Sequence, residues 1–411
     1  MAKKNKNIIV GLDIGTTQVR TLIAEVGEES ELNILGIGTV PSEGLERGMV
    51  VDLESTSRSI EKSVQKAQDI ANIEVEEAVV GICGGHIQCQ NARAGVEVVS
   101  SMRGITEEDA ARAREKATQM IVPKDREIIH TLVQEYIVDE QTGIKNPVGF
   151  AGSRLEVEVH VVTGAITSAQ NIIKSVNQAG VKVEEIVLQP LASSKAILTD
   201  DERDLGVIMA DLGGGTTDTV IFGKNGIRHT QIIPIGGNYI TKDISEGLRV
   251  TRFDAENIKR KYGCASIEMV NPEEQFEIND VVGREPQMVP RKDLAEIIQP
   301  RVEEICGLIK EQLDHVPHRY RRPAGAVLTG GVTLMPGIKE IAQQVLEMPV
   351  RIGAPYGIRG LSEPVSSPIY STGVGLLLFG LELRLVKPRK RFIWWGGKVY
   401  RKVSGWIDKN F

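Results

Sequence analysis

The sequence predicts an α/β fold made of two related lobes. Three observations lead there: a strand–turn–strand device that occurs twice, a length too great for one core, and a late apolar helix that carries glycines. The first copy of the device runs from Ile8-Ile9-Val10-Gly11-Leu12 into Asp13, then Gly15-Thr16-Thr17, then a second apolar run from Val19 to Val26. β-Branched runs on both sides of a glycine turn read as a hairpin. The second copy is Gly206 to Ala210, then Asp211-Leu212-Gly213-Gly214-Gly215-Thr216-Thr217-Asp218, then Thr219 to Phe222. Each places an Asp at a strand end, glycine in the turn and a Thr pair leading out. A duplication at so long a period implies two lobes rather than a short-repeat solenoid. At 411 residues the chain fits about two to four subdomains.

The other elements follow in order. Ala78 to Cys83 reads as a strand. Thr106-Glu107-Glu108-Asp109 is a capping-box start with acidic first-turn residues, and it opens a helix to about Met120. Leu155 to Val162 alternates apolar with polar and acidic residues, the pattern of a half-buried strand. Ile166 to Gln178 is an amphipathic helix stopped by Gly180. The acidic run Asp200 to Asp204 reads as an exposed hinge into the second lobe. A further glycine loop, Ala326-Val327-Leu328-Thr329-Gly330-Gly331, precedes a helix that begins near Pro336. Tyr370 to Phe379 is the apolar helix, with glycines that permit close packing on another backbone.

Composition narrows the class. Hydrophobic residues at 41% and charged residues at 25% are ordinary for a globular protein. A net charge of −6 argues against a nucleic-acid-coating surface, so no nucleic-acid partner is expected. The charge is unevenly placed. Lys387 to Phe411 holds eight Lys and Arg against one Asp, a net +7, which leaves −13 on the rest of a chain totalling −6. Cys83, Cys89, Cys264 and Cys306 form no CxxC pair, as expected of a reducing compartment. His315 and His318 are three apart in an Arg-rich segment and make a poor metal pair. The basic N-terminus enters a strand too soon for a signal peptide, and no apolar run is long enough to span a bilayer.

Two facing glycine hairpins suit a triphosphate. Backbone N–H groups can approach its oxygens where few Cβ atoms intervene, and Thr hydroxyls add donors. An Asp at each turn can hold the water shell of Mg²⁺, which keeps several waters. A single such turn could be merely a turn. Two copies followed in order by the Gly330–Gly331 loop point to nucleotide.

Five segments carry a family resemblance: Gly11 to Thr17, Leu188-Gln189-Pro190-Leu191-Ala192-Ser193-Ser194, Ala210 to Asp218, Val327 to Gly331, and Tyr370 to Gly375. They resemble the five ATPase motifs shared by actins, heat-shock chaperone ATPases and sugar kinases, in family order over nearly the whole chain. The resemblance implies an actin-like two-lobed ATPase fold with duplicated mixed five-stranded sheets, hinged by two connecting helices, with ATP and Mg²⁺ between the lobes. It places Asp13 and Asp211 near the Mg²⁺ through water. Gly15, Thr16, Thr17, Gly213, Gly214, Gly215 and Thr216 fall at the phosphates, Gly330 and Gly331 at the adenosine, and Glu256 and Lys259 at the base or ribose, with Gly237 a further nucleotide-binding residue. Gln189 falls where relatives carry a water-orienting group, with Asp218 a second candidate, and a neutral Gln implies slow hydrolysis at most. Gln189 could instead cap its helix.

The tail sharpens the family. Wound as a helix, Trp395, Val399, Tyr400, Val403, Trp406, Ile407 and Phe411 share one face, and Lys398, Arg401, Lys402, Ser404, Asp408 and Lys409 the other. A basic face opposite a Trp-bearing apolar face suits a lipid interface, although packing on its own domain or on a partner protein is the alternative. Near-surface Lys or Arg adds about 1 kcal/mol each on anionic lipid, so the anchor is weak singly and stronger in an array. With the segments Val80 to Ile87, Gln134 to Ile137, Gly143 to Val148, Arg228 to Thr230 and Arg351 to Pro355, the chain resembles the FtsA family of bacterial cell-division proteins over about 8–385. That resemblance implies an inserted α+β subdomain and a membrane-targeting C-terminal amphipathic helix. It further implies filaments of the chain with itself, later division proteins recruited through 83–161, and the C-terminal tail of FtsZ bound near Arg301 and Glu304. Three residues apart, those two share a helix face, which otherwise is simply a solvated one. The implied location is the cytoplasmic face of the inner membrane at the septum.

The expected domains are a first-lobe core of 1–82, 162–200 and 369–386, the insertion 83–161, a second-lobe core of 201–240 and 321–368, an upper subdomain 241–320, and the tail 387–411. Two rivals share the fold: a pilus or secretion adaptor, and a sugar or metabolite kinase, which would need a carboxylate base at the substrate hydroxyl.

Overall fold

In the computed structural model the described residues are 7–28, 31–99, 103–119, 122–224, 226–278, 287–318, 323–361 and 365–385. The tail helix and its expected membrane residues, Trp395 to Phe411, lie outside them.

Each hairpin lies inside a sheet. In the first lobe Ile8–Ile14 pairs antiparallel with Gln18–Val26, which pairs antiparallel with Leu32–Pro41. On the other side Ile8–Ile14 pairs parallel with Glu77–Ile82, and Lys182–Leu188 follows in parallel. Ile358–Gly360 adds a short sixth strand beside Leu32–Pro41. In the second lobe Ile208–Leu212 pairs antiparallel with Thr217–Gly223 and parallel with Ala326–Thr329. Gly226–Ile233 and Val350–Ile352 complete five strands. The lead strand of each hairpin thus lies between its antiparallel partner and a parallel strand, which makes the duplication structural.

Two helices link the lobes, Gln189–Ile197 and Ser371–Leu385. Ser371–Leu385 is apolar almost all round because sheet and helix both cover it. Gly375 is required at the crossing: a Cβ there would collide with the Ala192 carbonyl. Lys195 and Glu382 form an ion pair between the same two helices.

The acidic run after Thr199 is a short helix, Asp200–Leu205, none of whose residues is buried. Thr199 accepts from the Glu202 N–H and Glu202 caps back, so the run supplies first-turn acids that favour a helix N-terminus. Glu202 also takes a two-point ion pair from Arg351, at 2.6 and 2.7 Å.

Strands Gln88–Glu97, Arg154–Ala165, Arg126–Val138 and Gln141–Ile144 form a separate four-stranded sheet, in that order. Helix Glu107–Gln119 packs on it, begun by the reciprocal Thr106–Asp109 bonds its sequence predicts. Leu155, Val157, Val159 and Val161 face that helix's core. His160 and Val162, on the other face, are buried too, because strand Gly226–Ile233 of the second lobe lies against it. Alternation therefore gives way to burial on both faces. Among the described residues no helix is long and apolar enough to cross a membrane.

Candidate functional site

The two hairpin turns close in the same way. Gly15 N–H donates to the Gln18 carbonyl at 3.1 Å, and Gly213 N–H to that of Thr216 at 3.0 Å. With the turns in this register, Thr16 and Thr17 correspond to Gly214 and Gly215, not to Thr216 and Thr217. The reason is contact. Gly214 lies against the Thr17 side chain and Gly215 against Thr16, so the hydroxyl-bearing turn fits into the bare one.

Asp13 and Asp211 stand one residue from the ends of their lead strands, beside this contact. Asp13 is 4% exposed; it accepts from Arg20 Nη1 at 3.3 Å and from Gln189 Nε2 at 3.2 Å. Burial pushes its carboxyl up to about 6, Arg20 opposes the shift, and Asp211 adds to it. Asp211 Oδ2 accepts from Ser193 Oγ at 2.6 Å and Thr372 Oγ1 at 3.2 Å, one residue from each linking helix. Burial raises its pKa against those bonds. Asp218, 5% exposed, sits across the strand pair from Asp211; burial, then Asp211, push it to about 7.

Gly330 closes the floor of the site. Its φ of +89° is in the left-handed region, and a Cβ there would strike Asp211 Oδ1. Beyond it the expected base or ribose residues converge. Lys259 Nζ donates to the Gly237 carbonyl at 3.1 Å and to Thr241 Oγ1 at 2.7 Å, and pairs with Glu256 at 2.6 Å. Burial lowers the Lys259 pKa, against the pull of Glu256. Val332, just after Gly331, packs over Gly237. The helix Gly237–Leu248 that carries Thr241 is pinned to the second hairpin, where Gly237 N–H donates to the Gly213 carbonyl at 2.9 Å.

Gln189 does not cap its helix, whose N-cap is Leu188. Its amide is committed to Asp13 and to the Ile14 carbonyl at 3.2 Å, so it braces the first hairpin. Arg301 and Glu304 lie apart from the cleft on helix Arg291–Glu311 and pair with each other. Arg301 is also held by Asp243 at 2.6 and 3.0 Å.

The sequence reading left Arg20, Ser193, Thr241, Thr372 and Cys83 without roles. Arg20 had a signal, since it stands seven residues after Asp13 as Asp218 stands seven after Asp211. The others act through contacts distant in sequence.

The chemistry of the donor set fits a hydrated dication and a phosphate chain. Asp13, Asp211 and Asp218, all with raised pKa values, lie close enough to act on one another, and Arg20 pairs with Asp13 alone among them. Among the described residues no group of three or more His, Cys, Asp or Glu could hold a metal ion directly, so a cation at Asp13 and Asp211 would keep water in its shell.

Comparison with known proteins follows the same division. The family model for cell division protein FtsA matches residues 208–375, and that for the SHS2 domain inserted in FtsA matches 84–163. Cell division protein FtsA of Pseudomonas aeruginosa is 43% identical over 375 residues, 91% of this chain and 89% of that one. That of Neisseria meningitidis is 40% identical over the whole of both chains, and that of Escherichia coli 37% over 99% of each. Among solved structures, the PilM-PilN type IV pilus biogenesis complex superposes with a TM-score of 0.66 at 16% identity, covering 91% of this chain and 98% of that one. MreB5 of Spiroplasma citri bound to AMPPNP gives 0.54 at 16%, covering 92% and 97%. These show an actin-like fold, and the full-length identities go further: the chain belongs to the FtsA family of cell division proteins.

Proposed function

We propose that this division protein is an ATP-dependent adaptor that polymerises on the cytoplasmic face of the inner membrane and tethers FtsZ there at the septum. The observation that carries the reading is the cleft: acids with raised pKa values beside two interlocked glycine hairpins and the Gly237–Glu256–Lys259 cluster. Asp13 and Asp211 would hold the water shell of Mg²⁺, which when bound neutralises phosphate charge. The backbone of Gly15 and Gly213–Gly215, with the hydroxyls of Thr16, Thr17 and Thr216, would bind phosphate oxygens. Gly330, Gly331, Gly237, Glu256 and Lys259 would orient the nucleoside. Asp218 would orient a water for slow hydrolysis, while Gln189 holds Asp13 in place.

The other parts of the proposal rest on sequence and surface. The basic, Trp-bearing tail suits anionic lipid. Filaments would present many such tails together, and avidity multiplies weak anchors. The Arg301–Glu304 helix face offers paired charges to the C-terminal tail of FtsZ, and the 83–161 subdomain a separate surface to later division proteins.

Co-sedimentation with anionic liposomes tests the whole. The full chain should pellet with ATP and carry purified FtsZ down, and a chain ending at Lys387 should not. If both forms stay soluble, the membrane adaptor is refuted.

A further inference from the structure

The seven-residue spacing that sets Arg20 against Asp13 sets Asp218 against Asp211, so Asp218 faces an acid where Asp13 faces a cation. A thiol contacts it instead, with the Thr216 hydroxyl beside it. Cys83 Sγ donates to Asp218 Oδ2 at 3.0 Å, with Cys83 4% and Asp218 5% exposed. The other carboxylate oxygen, Oδ1, is buried and has no hydrogen-bond partner among the described residues. Cys83 directly follows strand Glu77–Ile82, where the chain leaves the first lobe for the inserted subdomain. Gly48 abuts Cys83 and Gly84 there, and its N–H donates to Thr16 Oγ1 at 3.0 Å. The root of the insertion thus touches the second hairpin through the Cys83 side chain and the first through Gly48.

We propose that Cys83 is a positioning residue for ATP hydrolysis, fixing Asp218 through Oδ2 so that Oδ1 is presented to the attacking water. The inference rests on the nucleotide reading above. In the step served, the water oxygen bonds to the γ-phosphorus as the bond from that phosphorus to the β–γ bridging oxygen breaks. The products are ADP, inorganic phosphate and one proton released to solvent. Asp218 accepts a hydrogen bond from the water and so aims its lone pair. Burial and the adjacent carboxylate raise the Cys83 pKa well above the ordinary thiol range, so the group stays a donor.

Two measurements test this. In the nucleotide-free protein, the infrared S–H stretching band that vanishes in Cys83→Ser belongs to Cys83. It should lie on the hydrogen-bonded side and return to the free-thiol position in Asp218→Ala. In parallel, turnover and MgATP affinity are measured on wild type and variants. Cys83→Ala should lose roughly five- to tenfold in kcat with MgATP affinity unchanged, the worth of one hydrogen bond, and Cys83→Ser should recover most of it. A free-thiol band in wild type, full turnover in Cys83→Ala, or equal loss of affinity and turnover overturns the inference. So does a wild type that binds MgATP without hydrolysing it, which leaves the nucleotide reading standing; a wild type that does not bind MgATP removes both.

Discussion

The two hairpins share a turn, a strand register and an acid at the same place, yet the residue opposite that acid differs. Across from Asp13 stands Arg20, itself braced by Gln18 at 2.6 Å and stacked over Tyr370. Across from Asp211 stands Asp218. One hairpin carries its own counter-charge, while the other concentrates two acids and leaves a buried carboxylate oxygen unpartnered. Unpaired buried charge costs stability, and a protein retains it where a ligand supplies the missing partner. The second difference is steric, Thr-Thr in one turn and Gly-Gly in the other, and it is what lets the turns interlock. A symmetric duplication could do neither.

The interlock gives the largest expected effect. At Gly215 an added Cβ meets the Thr16 side chain at 2.5–2.8 Å, so Gly215→Thr should cost about 1–3 kcal/mol by overpacking and abolish the thermal shift produced by MgATP. Exchanging the partners in Gly214→Thr with Thr17→Gly should recover more than half of what Gly214→Thr alone loses. Simple additivity of the two changes would show that the contact does not matter.

Next come the acids. Asp211→Ala should weaken MgATP binding by roughly 10- to 100-fold, the worth of a hydrogen bond to a charged group, measured by calorimetry. Gln189→Ala removes only a brace on Asp13, and should cost roughly fivefold in the same titration. If it instead abolishes turnover at unchanged affinity, Gln189 orients the water itself.

Without nucleotide the same asymmetry should be visible in stability against pH. The folded pKa values of Asp13 and Asp218 are raised from 3.8 to about 6 and about 7. The folded form then holds protons that the unfolded chain has lost, so this contribution falls as pH rises from about 4 to 7. His86 and His160 act oppositely. Their values are lowered from 6.5 to about 4 and about 3, so their contribution falls as pH drops below 6.5. Comparing Asp218→Asn with wild type cancels the histidines. The variant should melt higher at pH 8 and nearly level at pH 4, and saturating MgATP should narrow the gap. An equal offset at both pH values would mean that Asp218 is not charged in the folded cleft.

The smallest effect belongs to the surface. Glu304→Ala should change stability by less than about 0.5 kcal/mol, because exposed pairs contribute little, while lowering capture of FtsZ by immobilised protein. Unchanged capture would remove Glu304 from that interface.

The hairpins, the order of the elements and the acids near the strand ends are legible from the residues alone, because β-branched runs, glycine turns and caps act over a few residues. So are Thr106–Asp109 as a helix start and Gly375 as a close-packing helix residue. Asp200 to Asp204 reads as an exposed hinge, and none of its residues is buried; that the run is helical shows only once Thr199 is seen to cap it and Glu202 to meet Arg351. Which groups meet is set by packing: Cys83 with Asp218 across 135 positions, Gln189 with Asp13 across 176, and Ser193 and Thr372 on one carboxylate oxygen of Asp211. Local propensity is a property of short windows of chain. Partnership and burial are properties of the packed lobes, so the raised carboxyl pKa values of the cleft exist only once both lobes have closed around it.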